Sequence, residues 1–211
     1  MSFPEFFSRV PTVLLRDPLA EALGAADDGL ITYRYEDAVR LAGHSCPTVA
    51  GAYLLASRML ARLYPGELPQ RGGMRVEFRG GEGDGTIGVF AAVFGLLTGA
   101  AGAGGFKGLG GRFGRRGRLE FGVSALQGDV RLSRDDTRAA CTASLDLSDL
   151  PGDPALAGLL GDILGGDADQ AMRAEFSRRW QARVEQLLIA RFDHPGWVRF
   201  SEETIRKPDG G

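Results

Sequence analysis

The chain has 211 residues, enough for one domain with a full hydrophobic core and short for two. With 25 basic against 27 acidic residues and a formal charge of −2, no global field draws it to nucleic acid or to an anionic membrane. Two cysteines are too few for a disulfide framework, and their segments show no reason to meet, which fits a reducing cytoplasm.

The opening MSFPEFFSRVP carries neither a basic leader nor an apolar run of signal-peptide length. Val13 to Leu15 reads as a short strand. Asp17 followed by Pro18 reads as the cap and first turn of a short helix, and GAADDG as a turn. From Tyr35, YEDAVRLAG has helical spacing at Ala38, Val39, Leu41 and Ala42, with Gly43 as its stop. His44, Ser45 and Cys46 form a connection, and PTVAGAYLLASRMLARLY is a second helix that opens on Pro47. MRVEF reads as a strand. IGVFAAVFGLLTG is apolar on all sides and is expected to be a buried helix, although IGVFAAVFGLLTGAA is too short to span a membrane.

Residues 80 to 117 hold 15 of the 32 glycines, so this stretch can take backbone angles closed to other residues. LEFGVSALQ, VRLSR and AACTASLDL then alternate as strands do, with Asp135-Asp136 in the last turn. After LPGDP come ALAGLLGDIL and a helix from about Asp169 to Arg191, with an apolar stripe from Met172 to Leu188 that would cover the sheet or a subunit neighbour. No internal repeat or heptad seam is present, and only KPDGG reads as a loose end.

In LAGHSCPTVAG, His44 and Cys46 stand two apart, so in extended backbone their side chains project to one side. A helix N-terminus favours negative charge, and thiolate with neutral imidazole is a ligand set for zinc and for iron. A tight site needs more ligands. Asp84 and Glu82 of GGEGDG are the nearest candidates, with Asp37 and His194 more remote. The plain alternative is a buried small Cys46 and a turn histidine at His44. Cys141 alternates with Ala139, Ala143 and Leu145 as a core strand residue does, and His194 in DHPGW reads as a surface histidine.

Lys107, Arg112, Arg115, Arg116 and Arg118 lie within a dozen residues, with no acid until Glu120. Glycines and guanidiniums together can cradle phosphate or carboxylate, and here Lys107 and Arg112 are the candidate contacts. GAGGFKGLGG does not match the phosphate-loop motif, so a solvated glycine-built turn is the competing reading.

GHSCPTVAGAYLLA resembles the GHxCPG-type motif of the FmdE-like domain family of formylmethanofuran dehydrogenase. DGTIGVFAAVFGLLTGAAGAGGFKGLGGRFGRRGRL resembles the glycine-rich second half of one branch of that family. Together the two span roughly Tyr35 to Phe121. The resemblance implies an α+β domain with an antiparallel sheet packed with helices, paired as a homodimer, and a metal near His44 and Cys46. Thr48 stands where relatives have glycine, Ala42 where many have another histidine, and the family's further cysteines are missing. One domain over 1–211 is expected, with a core at about 30–150 and a helical extension at about 153–191. Two functions follow as expectations. One is a cytoplasmic metal-binding protein (zinc, iron or haem iron) in an accessory or sensing role, with His44, Cys46 and Asp84 as ligands. The other is a metal-dependent enzyme whose small anionic substrate is held by Lys107 and Arg112; a third reading makes the basic loop a docking surface.

Overall fold

A computed structural model describes residues 3–201 of the chain; the KPDGG end lies outside them. After a 3-10 turn at Glu5–Arg9 come strand β1 (Val13–Arg16), helix α1 (Pro18–Ala22) and strand β2 (Leu30–Tyr33), which pairs antiparallel with β1. Helix α2 (Tyr35–Ala42) ends at Gly43 in the left-handed region (φ 76), as the sequence predicts. Helix α3 (Pro47–Leu63) opens on Pro47 with Cys46 as its N-cap. Strand β3 (Met74–Phe78), helix α4 (Ile87–Thr98), and strands β4 (Leu119–Glu120), β5 (Val130–Arg134) and β6 (Ala140–Leu145) follow. The chain closes with α5 (Ala155–Gly165), α6 (Gln170–Glu185) and strand β7 (Val198–Phe200).

The main sheet runs β4-β3-β5-β6-β7; β3 and β4 are parallel and every other pair is antiparallel, so the fold is α+β. Period-two alternation explains its two faces. Met74, Val76, Leu132, Cys141 and Ala143 are buried, while Glu77 and Arg131 pair on the other face through two bonds of 2.7 and 2.6 Å. Helix α3 lies at the centre of the core, with every residue from Val49 to Ala56 buried. Gly51 permits this: a Cβ there would stand 2.7 Å from a Leu145 methyl of β6. Each large side chain the core takes in contributes about 1.5–3 kcal/mol.

Three expectations change. Helix α4 is not buried all round: Ala91, Val93, Phe94 and Leu97 face the core, while Ala92 is exposed and Ile87, Val89 and Phe90 are half-buried. The core extends beyond 30–150, because Leu15, Val184, Leu187, Leu188 and Trp197 are all fully buried. The last helix, expected from about Asp169 to Arg191, has Asp169 as its N-cap and ends in a π turn at Gln186–Ala190, and WVRF supplies the edge strand β7. Among the described residues no helix is long and apolar enough to cross a membrane.

Cys141 sits in the core with its Sγ 3.7 Å from the Met59 carbonyl, and burial pushes its thiol up to about 12. Cys46 is half-buried and neither cysteine is in a disulfide. A thiol-specific reagent at neutral pH should therefore label one cysteine rapidly in the native protein and two in urea. Fast labelling of Cys141 without unfolding would overturn its assignment to the core.

Candidate functional site

Two places concentrate the chemistry. The first is the connection between α2 and α3. Two elements hold it: the Tyr35 hydroxyl bonds to Ser45 Oγ (2.9 Å), Ser45 Oγ donates to Gln181 Oε1 (3.0 Å), and the Trp180 indole N–H donates to the Ser45 carbonyl (2.9 Å). Cys46 Sγ accepts the Val49 amide at 3.4 Å, the geometry of a helix N-cap. His44 is exposed, and its Nδ1 lies 3.0 Å from the Ala42 carbonyl. A carbonyl only accepts, so Nδ1 carries the proton and the Nε2 lone pair of the neutral ring is free.

The second is a cavity of about 330 Å³ between the glycine-rich loop, the β5–β6 turn and the segment before β3. Arg71, Arg112, Arg115 and Arg118 line it together with Phe113, Tyr64, Asp135 and Asp136. Two of these arginines, Arg71 and Arg115, pair with Asp17, the cap of α1. Asp17 Oδ1 accepts from the Leu19 and Ala20 amides and from Arg115 Nη2 at 2.6 Å, and Oδ2 accepts from Arg71 Nη1 at 2.8 Å. Burial alone would raise the Asp17 pKa. The Arg71 bond, the Arg115 charge and the two amides outweigh it and hold the carboxyl below its ordinary value.

Arg115 is itself 8% exposed, and its Nη1 has no acceptor among the described residues. Desolvation lowers its pKa, Asp17 opposes that, and neighbouring Arg71 and Arg118 add repulsion. One carboxylate thus serves two guanidiniums, Arg115 buried and Arg71 half-buried. Across the cavity Arg118 pairs with Asp135, and Arg134 holds Asp136 by two bonds of 2.9 and 2.7 Å. Arg112 lies 5.0 Å over the Phe113 ring and has no carboxylate partner among the described residues. The loop that carries it is a hairpin in which Leu109 and Arg112 exchange both backbone bonds at 2.9 Å around Gly110 and Gly111, both at positive φ.

No family model matches the chain, and no curated protein is significantly similar to it. The family resemblance therefore rests on the residues of the two motifs.

The candidates from sequence are dispersed. Asp84 accepts the Gly81 amide at 2.7 Å within its own loop, and Glu82 is exposed. Asp37 bonds to the Arg34 amide and to Arg40; His194 packs on Trp197 with its Nε2 3.7 Å from Asp149. Among the described residues no three His, Cys, Asp or Glu side chains are grouped to hold a metal ion. Arg112 lines the cavity and Lys107 is not on its walls. Sequence reasoning misses Asp17 and Arg71 as members of this site. Asp17 is legible as a cap, but its second role depends on a partner 98 positions away.

Proposed function

We propose that the protein binds a small anion in the arginine-lined cavity beneath the glycine-rich loop. The observation that carries this reading is the shared carboxylate: Arg71 and Arg115, both largely buried, have one Asp17 between them. Buried charge is costly unless compensated, so a cavity with surplus guanidinium favours an incoming anion. Adding small anions should raise the melting temperature of the wild type in a saturable way, and less so for Arg112→Gln. Equal stabilisation of both proteins, or none in either, would remove the reading.

A second reading is favoured by the state of the α2–α3 connection. His44 has its Nδ1 proton committed to a backbone carbonyl, the arrangement that orients metal-ligating histidines, and Cys46 Sγ receives the Val49 amide N–H at the start of α3. We propose that this pair binds zinc or iron, as the family resemblance implies. Two ligands do not complete a site, and a second copy of the chain would bring two more. The homodimer expected from the resemblance and the metal site then become one prediction. Zinc should shift wild type from monomer to dimer in sedimentation, and leave Cys46→Ser monomeric. A zinc-independent dimer would separate the two ideas.

A further inference from the structure

We infer that the anion of the arginine-lined cavity is a compact dianion of the phosphate type, a phosphate or phosphomonoester group; this rests on the anion-binding reading above. Four guanidiniums, those of Arg71, Arg112, Arg115 and Arg118, line the cavity, and two carboxylates pair with them: Asp135 on its wall and Asp17 outside its lining. Asp136, the third acid on the wall, is occupied by both ends of the Arg134 fork. Glu67 reaches that same Arg134 from an exposed position, where solvent screens it. Four positive against two negative groups leave two charges over. They can be located: Arg112 has only an aromatic ring beneath it, and Arg115 has a buried Nη1 without an acceptor. A monoanion leaves one of these uncompensated, and a dianion matches both.

Geometry narrows the class. Arg71 and Arg115 touch the same carboxylate at 2.8 and 2.6 Å, so their charges are concentrated in a small volume. A phosphate group gathers its charge and three acceptor oxygens around one centre, whereas a dicarboxylate spreads two charges along a chain. Gly72 on the wall lets the Arg115 guanidinium pack against bare backbone, because a Cβ there would stand 1.4 Å from Nη1. The volume, about 330 Å³, takes a phosphate with a modest organic remainder.

The test is a calorimetric titration of the full chain, in low salt and mildly alkaline buffer, with inorganic phosphate, sulfate, succinate and acetate in turn. Phosphate and sulfate are expected to bind at least about tenfold tighter than acetate or succinate. Arg112→Gln, an exposed change that touches no buried bond, should weaken phosphate about five- to tenfold while its circular dichroism is unchanged. Acetate as tight as phosphate would overturn the dianion and leave the anion site standing. Succinate tighter than phosphate would overturn the phosphate class. Phosphate binding that ignores Arg112→Gln would place the ligand elsewhere and overturn the inference, and no binding of any of the four would remove both it and the reading beneath it.

Discussion

Asp17→Asn is expected to destabilise the protein by about 3–5 kcal/mol, on the order of 10 °C in melting temperature for a domain of this size. Asparagine keeps the side-chain oxygen that caps α1, where Leu19 and Ala20 donate, so the loss isolates charge. What it leaves is two guanidiniums, Arg71 and Arg115, largely buried and without a counter-ion. Urea denaturation of both proteins measures it. The sign with pH follows from the depressed Asp17 pKa. Asp17 contributes stability that is fully present above the unfolded carboxylate value, about 3.9, and that drains away as pH falls toward the lower folded value. The wild-type advantage should therefore be constant near neutrality and shrink in acid. A loss below about 1 kcal/mol, or one independent of pH, would mean that Asp17 is not the counter-ion of that pair.

Much of the scaffold can be read from local signals, because the forces that set it are local. Pro47 after Cys46 marks the start of α3, Gly43 the end of α2, and Asp169 the start of α6; the structure has all three caps there. Strand β7 escapes such reading because Val198–Phe200 is three residues long and forms only against β6. LEFGVSALQ fails the other way: its alternation is strand-like, yet only Leu119 and Glu120 pair in a ladder with β3, and single backbone bonds tie Gly122 to Gly80 and Val123 to Phe78. Helix α4 shows the limit of composition. A segment apolar all round is expected inside, but Ile87 and Phe90 border an open cavity with Leu55, Phe78 and Leu145. The arginine cavity is less legible still. Its members come from the first strand–helix turn, the segment before β3, the glycine-rich loop and the β5–β6 turn, and no spacing rule links them. What can be read is the surplus of cations at 107–118. Which of them are buried depends on where Asp17 lies, and that is decided by the fold.

Gly72→Ala is expected to abolish anion binding and to cost about 3 kcal/mol or more in stability, with the two effects sharing one cause. Gly72 has φ +82 and packs directly beneath Arg115: a Cβ there would stand 1.4 Å from Nη1 and 2.1 Å from Cζ. The guanidinium cannot stay, and moving it breaks its bond to Asp17. The second wall offers no relief, because a Cβ at Gly99 would also meet Nη1, at 2.6 Å. Backbone strain alone accounts for only about 1–2 kcal/mol of the loss, the usual cost of a left-handed conformation outside glycine. Gly66→Ala supplies that comparison: its φ is +76 and nothing lies within 4 Å of the new Cβ. It should pay the strain and keep the anion. If the two variants lose the same stability and both still bind, Arg115 is not fixed by the bare backbone of Gly72. If Gly72→Ala alone loses binding, the glycine before β3 is what allows a buried arginine to sit at the floor of the cavity.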